Sequence, residues 1–238
     1  MALDEAIARS VGGGNCPPTL RLYGWSPAAV SLGFSQEVRE VVDLEFCASR
    51  GLDVVRRITG GGAVVHADGG LTYSLALSSS DPWIPKDTLE SYAAICQPVI
   101  NALGRMGVKA SFKPVNDIEA EGRKLSGSAQ IRRFGALLQH GTLLLDLDVS
   151  LLKALRVPPE KLASKGISSV EERVTTLHIV TGRKVYPVEV SALLAEEFGV
   201  SLGRTPSIGL PTEGEIALAI ELAGRYRSKE WLLRRQQG

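Results

Sequence analysis

The chain has 238 residues, 27 basic and 26 acidic side chains and a formal net charge of +1. Scattered, nearly balanced charge argues against a nucleic-acid groove, and no apolar run approaches the ~20 residues of a membrane helix. The start, with Asp4 and Glu5, does not read as a secretion signal, and Cys16, Cys47 and Cys96, far apart and without Cys-x-x-Cys spacing, point to a reducing, cytoplasmic setting rather than a disulfide or zinc framework. The length suffices to bury a full core, and the expectation is a single domain over 1–238.

Residues 2–11 read as a short helix with Leu3, Ala6 and Ile7 on one face, ending at Gly12-Gly13-Gly14. Strands follow at 19–25 and 29–34, separated by Ser26-Pro27. A helix over 43–50 is capped by Asp43, whose side chain can accept from the free N–H groups of the first turn. Val54 and Val55 then lead through Arg56 and Arg57 into Ile58-Thr59-Gly60-Gly61-Gly62, and Ala63 to Val65 resumes strand-like composition before His66. This reads as a central hairpin. Leu71 to Leu77 alternates bulky with small or polar residues, the period of a half-buried strand.

The clearest helix spans 88–106, with Leu89, Tyr92, Cys96, Val99, Leu103 and Met106 at intervals of three or four. Cys96 falls on that stripe and reads as a core thiol. Residues 116–147 form a meander of strands turning at Glu121-Gly122 and Arg133-Phe134-Gly135. A helix opens at Pro158-Pro159 and runs to about Ala163, and two more cover 188–198 and 213–226. Strands early and helices late predict an α+β fold rather than an alternating one.

Three glycines in succession let a ligand lie against backbone amides, and neighbouring arginines suit an anion. A glycine-rich hairpin with solvated arginines explains the same residues equally well. Lys124, between Gly122 and the small residues Ser126-Gly127-Ser128-Ala129, can meet charge growing on an acyl or phosphate oxygen; the plain alternative is a solvated hairpin lysine. Asp117, beside Asn116, is a candidate Mg²⁺ ligand or a turn aspartate. His140 lies on an apolar strand, where a lone histidine is commonly a satisfied core residue.

Taken together, Met1-Ala2-Leu3-Asp4-Glu5, the glycine stretch, Asn116-Asp117-Ile118, Gly122-Arg123-Lys124, His140-Gly141-Thr142 and the run from Lys165 to Val174 resemble the lipoate–protein ligase A family. The resemblance implies a mixed, largely antiparallel sheet like the catalytic domain of biotin–protein ligases. It makes Lys124 the lysine that binds an acyl-adenylate. It places Arg57, Thr59, Gly60, Gly61, Gly62, Ala63, His66, Ser126, Gly127, Ser128, Ala129, His140, Gly141 and Thr142 around the lipoyl-adenylate, with Arg57 and the Gly60 to Gly62 amides near its carboxyl and phosphate end and His140 on the wall of the lipoyl pocket. Asn116, Asp117, Lys165, Gly166, Ser169, Arg173 and Val174 would then meet the adenylate, with Mg²⁺ on Asp117. The family usually shows His-Asp after the glycines, where this chain has His66-Ala67-Asp68. The strand that usually precedes the first helix has no counterpart before Met1, either because it is truly absent or because the start is placed late.

The activity implied is ATP-dependent: lipoate becomes lipoyl-AMP, then an amide on a lysine of a lipoyl carrier domain or a glycine-cleavage H-type protein. ATP and Mg²⁺ are the expected cofactors. The small C-terminal domain common in such ligases has no counterpart, so a separate accessory protein is a possible partner. Two alternatives stand beside this. One is a transferase moving octanoyl or lipoyl groups between carriers without ATP through a cysteine thioester. That thiol would stand shortly before Gly122-Arg123-Lys124, where this chain has Ser111. The other is a non-catalytic lipoate-binding subunit.

Overall fold

The computed structural model describes residues 1–67, 69–157, 160 and 169–234. Asp68, Lys165, Gly166 and nearly all of the helix expected from Pro158 lie outside them. Nine strands make two sheets among the described residues. The larger has the order β1 (Thr19–Tyr23), β5 (Gly70–Ser78), β9 (Ala136–Leu144), β8 (Arg123–Arg133), β7 (Asp117–Ala120), β6 (Ala110–Lys113). Every pairing in it is antiparallel. The smaller has β2 (Ala29–Leu32) in the centre, parallel to β3 (Asp53–Arg56) and antiparallel to β4 (Val64–His66). The mixed, mainly antiparallel α+β fold is as expected.

The central hairpin is not. β3 and β4 do not pair with each other; both flank β2, so the glycine stretch crosses the sheet end instead of turning back. Short-range pattern gives the two strands but not their partner, which lies more than twenty residues away.

β5 and β9 are buried on both faces. Leu71, Tyr73, Leu75, Leu77, Leu137 and Leu143 enter one core with α4 (Thr88–Arg105) and α7 (Pro187–Leu202). Ala76, Ala136 and Leu138 pack on the other face against α1 (Ala2–Gly12) and α8 (Glu213–Arg227). The caps expected at Asp43 and in the long helix exist: Phe46 N donates to Asp43 Oδ1 at 2.9 Å and Glu90 N to Asp87 Oδ1 at 2.9 Å. Cys96 is fully buried on the α4 stripe, whereas Leu89 is exposed.

Arg56 turns away from the glycines. Its guanidinium donates to the carbonyls of Gly33, Phe34, Gln36, Trp231 and Leu232, tying the C-terminal helix α9 (Lys229–Leu232) to the small sheet. Five satisfied carbonyls explain how a charged group stays fully buried here, and they correct the expectation that both arginines face an anion.

Candidate active site

Strand register decides which side chains meet. In β5 and β9, Thr72 faces Thr142 and Ser74 faces His140. Across β8, Gly127 pairs with Thr142 and Ala129 with His140, and Asp117 of β7 pairs with Gly127. These positions share the face carrying Ala76 and Leu138, away from the α4 core. Beyond the edge of α1 that face meets the small sheet, and a cavity of about 400 Å³ lies between the two.

Lys124, Asp117, Arg57, Gly61, Gly62, Asn116 and Arg173 line its polar part. His66, Ala63, Gly127, Ser128, Ala129, His140, Gly141, Thr142 and Val174 also border it. Thr59, Gly60, Ser126 and Ser169 do not. Val41, Val65, Leu144, Leu147, Leu152, Leu155 and Val170 form an apolar wall that sequence reasoning missed. These residues come from β4, the end of β9, α2 (Val38–Val41), the 3-10 turn at Val149–Ala154 with its entry and exit, and α5 (Val170–Arg173). Only tertiary folding brings such ordinary aliphatics together.

Lys124 Nζ lies 2.6 Å from Asp117 Oδ1, and Arg173 Nη2 lies 2.8 Å from Asp117 Oδ2. The lysine side chain is 24 % exposed, so it is not a solvated hairpin lysine. Burial lowers its pKa and Asp117 opposes that shift. The ammonium lies across Gly127, where a Cβ would come within 2.4 Å of Nζ. The missing side chain makes the lysine's bed. Downstream, Ser169 caps α5 as its spacing predicts, Val174 bridges to Lys124, and Thr175 N donates to Lys124 O at 2.9 Å. This run brings Arg173 to Asp117.

Arg57 is equally committed. Nη2 donates to Gly60 O and Gly62 O at 2.7 Å each, fixing the glycine loop. Nε reaches Thr59 Oγ1 and Nη1 reaches Ser31 O and Oγ. Burial brings its pKa to about 10, which leaves it charged at neutral pH. Arg57 thus shapes the glycine loop at the border of the cavity. Each hydroxyl that accepts from Arg57 keeps one proton, and each has a histidine Nε2 in reach: Ser31 Oγ to His66 at 2.7 Å, Thr59 Oγ1 to His140 at 2.8 Å. Donation by the hydroxyls places both ring protons on Nδ1. His66 Nδ1 then donates to Thr142 Oγ1 at 3.3 Å, while His140 Nδ1 is buried with no partner. Burial pushes His140 down to about 4 and His66 well below its usual value, so both are neutral. Trp25 stacks on His66 with centroids 4.0 Å apart.

Three expected substrate contacts turn their side-chain positions elsewhere. A Cβ on Gly141 would meet Tyr73 Cε1 at 2.5 Å, because Tyr73 crosses over Gly141 to reach Ser128 Oγ at 2.8 Å. Gly141 and Ser128 therefore point their side-chain positions into the α4 core, and Ser126, two residues along the same strand, is buried there too. Asp117 is not free for a metal: both oxygens are engaged by cations, and no group of three or more His, Cys, Asp or Glu able to hold a metal occurs among the described residues.

The family described as Lipoyl protein ligase A/B catalytic domain matches residues 1–199. The chain belongs to this family. Curated relatives named octanoyltransferase LipM are 36% identical in Kyrpidia tusciae and 36% in Brevibacillus brevis, each match covering 99% of this chain and 94% of the relative. Among solved structures, the bi-partite lipoate protein ligase of Thermoplasma acidophilum is 32% identical, with a TM-score of 0.85 over 100% of this chain and 91% of that one. A lipoate-protein ligase A bound with ATP is 31% identical, with a TM-score of 0.84 over 98% and 92%.

The octanoyltransferase relatives overturn ATP-dependent ligation as the first reading, and ATP and Mg²⁺ fall with it. The physical reason is that the glycine loop, Lys124 and the His-Gly-Thr strand border one cavity, and nothing in that lining names a leaving group. No helix among the described residues is long and apolar enough to cross a membrane.

Proposed function

We propose that this chain transfers an octanoyl group from a carrier-bound thioester to the side-chain amine of a lysine on a lipoyl carrier domain. The observation that carries this is the cavity's two-part lining: an aliphatic wall for a medium-length acyl chain, ending at Lys124 on its glycine bed. Of the three ammonium protons, one is directed to Asp117; two remain for the acyl carbonyl oxygen, where negative charge develops during attack. Arg173 holds Asp117 from the other side, so Lys124 keeps its position without being fully neutralised. A thioester arrives activated, so the reaction has no adenylation half and calls for no accessory protein. H-type proteins, which present a comparable lysine, fit as a second acceptor.

The test is purified chain, octanoyl-loaded carrier and apo acceptor domain without nucleotide, read by intact mass. The acceptor gains one octanoyl group, and an acceptor with that lysine changed to Arg gains none. An unmodified acceptor refutes the proposal.

A further inference from the structure

Arg56 joins three parts of the chain. Its fully buried guanidinium divides its donors between two groups of carbonyls. Nη1 gives to Gly33, Phe34 and Gln36, in the turn that follows β2, at 3.1, 3.0 and 2.6 Å. Nε gives to Trp231 O at 3.0 Å and Nη2 to Leu232 O at 2.5 Å. These belong to the last carbonyls of α9, which a helix leaves without an intrahelical donor. Trp231 returns a bond, from Nε1 to Arg56 O at 2.8 Å. Its ring lies 5.9 Å from that of Phe34, and the Arg234 guanidinium stands 3.7 Å from the Phe34 centroid.

The turn at 33–36 supports the glycine loop. Phe34 N donates to Thr59 O at 2.9 Å and Arg57 N to Leu32 O at 3.0 Å. A Cβ on Gly33 would collide with Gly61 O, so turn and loop meet backbone to backbone. Gln36, Gly61 and Gly62 all border the cavity, whereas no residue of α9 does. Contact therefore runs unbroken from α9 through Arg56 to the cavity wall. A buried guanidinium that loses acceptors is costly, so release of α9 drives Arg56 towards water and frees the turn on which the loop rests.

We propose that α9 is a positioning element of the site. Trp231, acting through Arg56 and Phe34, sets the turn at 33–36 and with it the glycine loop at the border of the cavity. Lys124 lies on β8, outside this chain of contacts, so loosening α9 weakens the hold on the donor and spares the chemical step. The proposal rests on the octanoyl-transfer reading only in taking the cavity as the acyl site; the hold of α9 on the loop is measurable without substrate.

The test is amide hydrogen exchange beside transfer kinetics. In Trp231→Ala the amides of Phe34 and Arg57 should exchange about tenfold faster relative to those of β5. The donor's KM should rise about tenfold, with kcat within about threefold of the parent. Trp231→Phe keeps a ring on Phe34 and loses the Nε1 bond; it should show smaller changes of the same kind, and it stands in if the alanine variant unfolds. Val190→Ala, a truncation in the α4 core on the other face of the large sheet, controls for lost stability and should change neither the relative exchange nor KM. Parental exchange at Phe34 and Arg57 in the Trp231 variants, an unchanged KM, or equal changes in Val190→Ala would overturn the proposal. Absence of transfer by the parental chain removes the octanoyl reading, and the exchange arm then decides by itself whether α9 holds the loop.

Discussion

Gly127→Ala tests the bed of Lys124 without touching a charge. The new Cβ would lie 2.4 Å from Lys124 Nζ, 2.6 Å from Cε and 3.4 Å from Asp117 Oδ1. Contacts below 3.0 Å are not tolerated, so something must yield, and the end of a lysine side chain is the cheapest part to move. Gly127 does not have positive φ, so alanine suits the backbone and the fold should hold within a few degrees of Tm. Displacing the ammonium by about 1 Å costs on the order of 10² in rate. Octanoyl transfer should therefore lose about that factor in kcat, with little change in the donor's KM. The decisive arm is a double-mutant cycle: in a Lys124→Ala background, Gly127→Ala should cost almost nothing further. A parental rate for Gly127→Ala, or full additivity with Lys124→Ala, would refute the bed argument.

Lys124→Ala should lower turnover by about 10²–10³ in a folded protein, and Lys124→Arg should restore little, because a planar fork does not fill a compact ammonium's place; transfer rates beside thermal melts check both. Shortening the acyl chain by two carbons removes about 1.6 kcal/mol of burial against Val65, Leu144 and Leu152, so kcat/KM for hexanoyl donors should fall about 15-fold relative to octanoyl. Stability should fall with acid in two steps. His140 is neutral when folded, with a pKa near 4 against an ordinary value of 6.5, so the unfolded chain takes up the proton first and roughly 3 kcal/mol is lost between about pH 6.5 and 4. Asp4, lowered to about 2 despite its burial by the amino terminus and Arg21, adds a further loss below about pH 3.8. His66, held neutral in the same way, adds to the first step, so urea melts of parent and His140→Gln across this range should show that step reduced in the variant.

Much of the site was legible because its parts are local. Glycines beside strands, a lysine in a small-residue run and His-Gly-Thr on an apolar strand each occupy a few consecutive residues. Parity along that strand would have gone further: His140 and Thr142 must share a face, and Gly141 must take the other. What small residues make room for was not legible. Gly127 accommodates Lys124 and Gly141 accommodates Tyr73, partners that only the folded sheet supplies. Arg56 and Arg57 are adjacent in sequence, yet one holds the C-terminal helix and the other the glycine loop. The parallel pairing of β2 with β3 and the aliphatic wall depend on long-range contacts with no signature of their own.

The most direct test of octanoyl transfer offers one preparation of the chain two sources of acyl group in parallel. One arm holds octanoyl-thioester carrier without nucleotide; the other holds free octanoate or lipoate with ATP and Mg²⁺. Both contain the same apo acceptor domain, and both are read by acceptor mass, the second also by AMP release. The predicted result is a modified acceptor in the thioester arm and no AMP above background in the other. Modification confined to the nucleotide arm, with AMP formed in step with it, would contradict the account.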